Sequence, residues 1–223
     1  MTKEHNKIFL RQTVQGSGGG EGKIVRQRGA RREYAHMRIG IRPAERGRGV
    51  VLAWDAGPSI PAHFTNSVLV GIQDALTAGT AGLEVTDVNV TVEDGSYHDV
   101  DSNEEAFREA AHAATLQAIQ QAGPIVMEAM SLLMITLPAN QVEVAELAVG
   151  RRGGEATPAI PKESGFKALA ANVPAVAVSE LIAELLGVTG GNMMISSQAN
   201  GFRPRLDALE ASAGRREAHA RRR

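Results

Sequence analysis

The sequence predicts an α+β fold in two domains, and three observations carry the prediction. In the first half, short alternating stretches precede one long helical stretch, residues 103–122. In the second half the order of periodic stretches is β-α-β-β-α-β. That order suits a ferredoxin-like sandwich, two helices packed on one antiparallel sheet. Between the halves, Gly123-Pro124 stops the long helix and marks a boundary.

At 223 residues the chain has room for one large or two small domains. Hydrophobic residues make up 43% but aromatics only 4%, so the cores must be aliphatic and Ala-rich. The absence of cysteine excludes disulfides and thiolate metal sites and accords with a reducing compartment. Residues 1–9 are polar and charged, unlike a signal peptide, and no apolar run approaches the roughly 18 residues of a membrane span. The expectation is a cytoplasmic protein without a membrane partner.

A net charge of −1 hides a sorted distribution. Residues 22–49 hold nine Lys and Arg against two Glu, a local +7, whereas residues 84–109 hold nine acids against Arg108, a local −8. The last ten residues carry five Arg and one Glu. Such sorting points to contact surfaces more than to a fold.

Taken in order, residues 8–14 read as a strand and the glycine-rich residues 16–20 as a flexible hairpin connection. Residues 23–27 and 34–42 read as strands joined by a basic loop, residues 28–33. In the second strand His36, Arg38, Gly40 and Arg42 alternate with Met37, Ile39 and Ile41, giving one polar and one buried face. Residues 43–49 turn, and residues 50–55, with the single Trp, form a further strand. Phe64, Val68, Ile72 and Leu76 recur at period four, which predicts a helix ending before Gly79. A strand at residues 88–92 runs into the loop of residues 93–102. There Asp94-Gly95 signals a turn, and Asp101 or Ser102 can cap the long helix whose first turn holds Glu104 and Glu105. In the second half, strands are expected at residues 131–138, 155–160, 166–173 and 192–199, with helices at 142–149 and 178–186. After Pro204 the Ala-, Glu- and Arg-rich tail is expected to fray or be disordered.

No enzymatic chemistry is legible. Gly22-Lys23 prompts a check for a phosphate loop, but Ser17 replaces the first glycine of G-x-x-x-x-G-K-[ST] and Ile24 the Mg²⁺-holding hydroxyl. The six His lack ligand spacing, so no metal or other cofactor is expected. His98 beside Asp99 and Asp101 could suggest acid–base work, but a loop tip is no water-excluding pocket. What remains is a contact surface. Arg offers paired donors to phosphate and stacks on bases, and Arg28, Arg31 and Arg32 share one short stretch flanked by Arg26 and Arg38.

An ordered set of motifs sharpens this. Residues 94–102 (Asp-Gly-Ser-Tyr-His-Asp-Val-Asp-Ser) followed by Ala106-Phe107 resemble the distal loop of domain IV in bacterial translation elongation factor G. Gly22-Lys-Ile-Val-Arg-Gln27 with Tyr34 and His36 is similar to that domain's other tip loop. Residues 71–76 resemble its first helix, and residues 122–128 its junction into domain V. The resemblance runs from about residue 8 to residue 202.

The resemblance implies a domain IV-like fold over residues 1–123, a domain V-like ferredoxin-like domain over 124–203 and a basic tail over 204–223. It also implies a left-handed β-α-β crossover in the first domain, against the usual hand. It implies a module that binds the ribosome and ribosomal RNA in translation, with no nucleotide bound by this chain. The implied contact residues are Arg28, Arg31, Arg32, Glu33 and Tyr34 in one limb and Tyr97, His98 and Asp99 in the other. Pro138, Arg151 and Arg152 match the pattern of domain V near large-subunit RNA. Two alternatives stand beside this reading: part of a GTP-dependent translocase whose G domain lies elsewhere, and a protein-interaction module that retained the fold. The family's first tip loop is usually Ser-Gly-Gly-Arg-Gly-Gln-Tyr-Gly-His, whereas this chain has Arg28-Gly-Ala-Arg-Arg-Glu-Tyr-Ala-His36. A carboxylate at Glu33 is expected to be repelled by phosphate. Met1 lies just ahead of the domain IV-like region, which fits a short free-standing relative or a piece of a longer factor.

Overall fold

The computed structural model describes residues 9–28 and 31–205, without the side chains of Arg28 and Arg31. The expected tail lies outside them, apart from Pro204 and Arg205. The fold is mixed α/β, with two sheets and, among the described residues, four α-helices. The described residues divide into two compact units, Arg11–Val126 with Arg205, and Met127–Pro204 with residues 9–10.

A short strand, β1 (Leu10–Val14), comes first in the chain, where the sequence places one. The first unit then holds a four-stranded sheet, order β2-β3-β5-β4, from β2 (Gly18–Arg28), β3 (Arg31–Pro43), β4 (Val50–Trp54) and β5 (Val88–Ser96). β2–β3 and β3–β5 are antiparallel and β4–β5 parallel. A parallel pair needs a crossover, supplied here by α1 (Thr65–Ala78). The second helix of the unit is α2 (Glu104–Gln121). The period-two pattern of β3 puts Ala35, Met37, Ile39 and Ile41 into the core with Val88, Val90 and Val92 of β5. The period-four stripe Phe64, Val68, Ile72 and Leu76 is buried against them, and Phe64 stacks on Phe107 of α2 with ring centroids 4.4 Å apart.

Three local expectations are corrected. The stretch of residues 16–20 is not a flexible connection throughout, because β2 begins at Gly18 and every second glycine, Gly18, Gly20 and Gly22, faces α2. A Cβ on Gly18, Gly20 or Gly22 would come within 2.4, 1.9 and 1.9 Å of the carbonyl oxygens of Ala118, Ala114 and Ala110. Alternate glycines on the strand and alanines at spacing four on the helix let two backbones touch. Asp94-Gly95 is not a turn but part of β5. Arg38 pairs with Asp94 and Ile39 with Val92, so Glu93 is the extra residue of a bulge. The cap of α2 is neither Asp101 nor Ser102. Asn103 Oδ1 accepts from the Ala106 N–H at 2.9 Å, with Glu104 and Glu105 in the first turn as expected.

The second unit follows the order β6 (Pro124–Pro138), α3 (Val142–Arg151), β7 (Glu155–Ala156), β8 (Ile160–Pro161), β9 (Phe166–Pro174), α4 (Val178–Thr189) and β10 (Met194–Pro204). Its strands lie in the order β10-β6-β9, with β7 and β8 both pairing β9, all antiparallel. Leu133, Ile135 and Leu137 of β6 and Leu169, Ala171 and Val173 of β9 share a core with Ala145, Ala148, Val149, Leu181 and Leu185 of the helices. The single strand expected at residues 155–160 is two two-residue strands, because Thr157 Oγ1 and N–H bond the Ala170 backbone between them. Arg151 and Arg152 both reach Glu184 of α4, and Arg152 Nη1 also donates to the Ala148 carbonyl at 3.2 Å. The two arginines expected to face RNA thus tie the two helices together.

Candidate nucleic-acid interface

The distal end of the first unit has two limbs. One is the β2–β3 hairpin, whose last register pair is Arg28 with Arg31. Gly29 and Ala30 fall outside the described residues, and Arg32 and Glu33 stand in strand β3, not in a loop. The other limb is the turn after β5, where Tyr97, His98, Asp99 and Val100 are exposed, Val100 by 85%.

Backbone and hydroxyl groups join the limbs. The Tyr34 N–H donates to the Asp101 carbonyl at 2.8 Å, and the Ser102 hydroxyl donates to the Tyr34 carbonyl at 2.8 Å. The same hydroxyl accepts from the His98 N–H at 2.9 Å. The Tyr34 and His98 rings meet edge-on, 6.4 Å between centroids, and His98 Nδ1 lies 3.5 Å from Asp101 Oδ2. Behind them, Tyr34 Oη and Ser96 Oγ share a hydrogen bond of 2.7 Å, and His36 Nε2 donates to Glu21 Oε1 at 2.7 Å. The structure therefore brings Tyr34 and His98 together from distant parts of the sequence. Ser102 does the joining, and the sequence marked it only as a possible helix cap.

Alternation along β3 sorts the rest. Arg32, Tyr34, His36 and Arg38 lie on the sheet face away from the helices. Glu33 lies on the helix face opposite Arg26, its side chain only 11% exposed. Arg26 Nε donates to Glu33, and its two terminal nitrogens fork onto Glu109 of α2, one at 2.7 Å. These carboxylates, Glu109 first, raise the Arg26 pKa above its ordinary value. Two sequence expectations change. Arg26 is engaged inside the protein, and Glu33 does not stand among the exposed contact groups. A cleft of about 540 Å³ opens between the limbs, and there the carboxylates of Glu33, Asp101, Glu104 and Glu105 outnumber the single cation, Arg32, which disfavours phosphate inside it. What faces outward is a set of exposed rings and apolar tips beside arginine, a surface chemically suited to stacked bases and a phosphate backbone.

The family model of elongation factor G, domain IV, matches residues 7–123, the segment that carries both limbs. The chain belongs to the elongation factor G domain IV family. Among solved structures it is similar to a crystal structure of a protein from Thermus thermophilus, with a TM-score of 0.80 and 26% identity. That likeness covers 94% of this chain and 32% of the Thermus chain, so this chain spans about a third of the length of that relative. The elongation factor G domain IV assignment makes the chain a translation-factor-related module. No helix among the described residues is long and apolar enough to cross a membrane.

Proposed function

We propose that the chain is a cytoplasmic, elongation factor G-like module that binds the ribosome through ribosomal RNA and performs no catalysis. The observation that carries this is the joined distal end within the family-matched segment. Tyr34 and His98, far apart in sequence, are held together beside Arg32 by Ser102 and Asp101. Arg28, Arg31, Arg32, Tyr34, Tyr97, His98 and Asp99 are the contact residues of this reading. Arginines meet phosphates, rings stack on bases, and the Asp99 carboxylate accepts from base amino or ribose hydroxyl groups.

In the same reading residues 1–123 are the domain IV-like body, 124–203 a domain V-like ferredoxin-like domain and 204–223 a basic tail. The antiparallel order β10-β6-β9-β7 and the two helices between strands support the second assignment. No nucleotide is bound by this chain. The glycines that could mimic a phosphate loop are ladder partners of Ile41, Ile39 and Met37 and lie against α2, which leaves no free nest of N–H groups. A second reading is that the chain is the C-terminal part of a GTP-dependent translocase whose G domain lies elsewhere; that this chain spans about a third of the Thermus relative is compatible with it.

Sedimentation with purified bacterial ribosomes and separated subunits tests the proposal. Saturable pelleting with ribosomes, unaffected by GTP, is expected. A chain that stays in the supernatant at low salt would contradict ribosome binding by this module and favour the protein-interaction reading.

A further inference from the structure

We propose that the loop of residues 44–49 is a second RNA-phosphate site, with Arg46 and Arg48 as its contact residues, at the end of the sheet opposite the hairpin. The inference extends the ribosome-contact reading above and rests on it.

The loop joins β3 to β4. Pro43 pairs with Val88 and His36 with Ser96, so the loop and the hairpin lie at opposite ends of β3. The strand has 13 residues, which at about 3.3 Å each set the two ends about 40 Å apart. A phosphate held at the hairpin is therefore out of reach of the loop.

Hydrogen bonds pin the loop to the start of β5. Asp87 Oδ1 accepts from the Gly47 and Gly49 N–H groups at 3.0 Å each, and the Asp87 carbonyl accepts from the Ala44 N–H at 2.8 Å. The Val88 N–H donates to the Gly49 carbonyl at 3.1 Å, and Asn89 Nδ2 to the Pro43 carbonyl at 3.0 Å. Asp87 is buried and holds a left-handed backbone, φ 56°, which is uncommon outside glycine. Gly47 and Gly49 also have positive φ, 82° and 72°. Backbone strain of this kind persists only where the surroundings fix it, and it gathers at binding sites. What it fixes here is a pair of arginines. Arg46 and Arg48 alternate with the two glycines, are exposed, and make no ion pair among the described residues. Glu45, the loop's one carboxylate, pairs with neither, and the loop carries +1. Arg42 stands nearby but shares a cleft with Asp55 and Glu93, so it is not counted in the site. Two outward guanidinium forks on a rigid loop match phosphate oxygens, and a loop already ordered loses less freedom on binding.

Filter binding of the full chain to bacterial ribosomes across a salt series, with ethylnitrosourea footprinting of the ribosomal RNA phosphates in the complex, tests this. Arg46→Ala with Arg48→Ala is expected to weaken binding about tenfold at low salt. It should also flatten the slope of log K against log salt by about 1.4 to 1.8, the share of two phosphates. Arg46→Lys with Arg48→Lys should keep the slope and lose about threefold in affinity, because the charge stays and the fork goes. The parent should protect phosphates that the alanine variant leaves open and that Arg32→Ala still protects. An unchanged slope in the alanine variant overturns the inference and leaves the ribosome reading standing. A flattened slope with the parent's full set of protected phosphates also overturns it, and assigns the loop to an acidic protein surface instead. A parent that does not bind ribosomes removes both.

Discussion

The Ser102 hydroxyl donates to the Tyr34 carbonyl at 2.8 Å, and that bond fixes the spacing between the two limbs of the distal end. The oxygen also accepts from the His98 N–H, so one side chain governs strand β3, the turn and the start of α2. A hydroxyl that both donates and accepts between backbone groups has no substitute in alanine.

Ser102→Ala should therefore lower stability by about 1 to 2 kcal/mol, the net value of two partly exposed hydrogen bonds. Hydrogen exchange at the His98 amide should quicken by about tenfold, since about 1.4 kcal/mol corresponds to that factor. Unchanged exchange at His98 would mean that the limbs are joined by other contacts.

The glycine stripe allows a paired test. Gly20→Ala puts a methyl 1.9 Å from the Ala114 carbonyl oxygen, with the Ala118 nitrogen at 2.7 Å, so strand and helix must part. Overpacking of this kind costs about 1 to 3 kcal/mol. Gly19→Ala points into open space and should stay within about 0.5 kcal/mol of the parent. The two urea midpoints measure the difference, and equal midpoints would contradict the strand-on-helix contact.

In the second unit, Glu184 bears on acid stability. Arg152 above all, and Arg151, hold its carboxyl pKa below the ordinary 4.5. A depressed folded-state pKa means that the ion pairs contribute fully above the unfolded value and are lost as pH falls below about 4.5. Glu184→Gln should lower stability at pH 7, with the difference from the parent shrinking as pH falls below that value. A pH-independent difference would show that the carboxylate charge plays no part.

Much of this fold was legible because period-two and period-four patterns report burial directly. The β3 alternation and the Phe64–Leu76 stripe are examples. The misreadings share a cause. Gly18, Gly20 and Gly22 look like a loop because glycine's usual meaning is flexibility, and only the facing alanines of α2 reveal a close approach. Glu93 looks ordinary because a bulge is a property of the partner strand's register. At the candidate site the sequence supplied the residues but not their faces. Glu33 and Arg32 are neighbours in the chain and point to opposite sides of the sheet. The partners Glu109 and Ser102, 76 and 68 residues from Glu33 and Tyr34, give no local signal.

The central claim is that the arginine end of the β2–β3 hairpin meets RNA phosphates, and the salt dependence of ribosome binding measures it. Each neutralised phosphate contributes about 0.7 to 0.9 to the slope of log K against log salt. Replacing Arg28, Arg31 and Arg32 together with Ala should flatten the parent slope by about two units and weaken binding at low salt, whereas His98→Ala should weaken binding and change the slope by less than about one. A triple variant that binds ribosomes like the parent at every salt concentration would contradict the account.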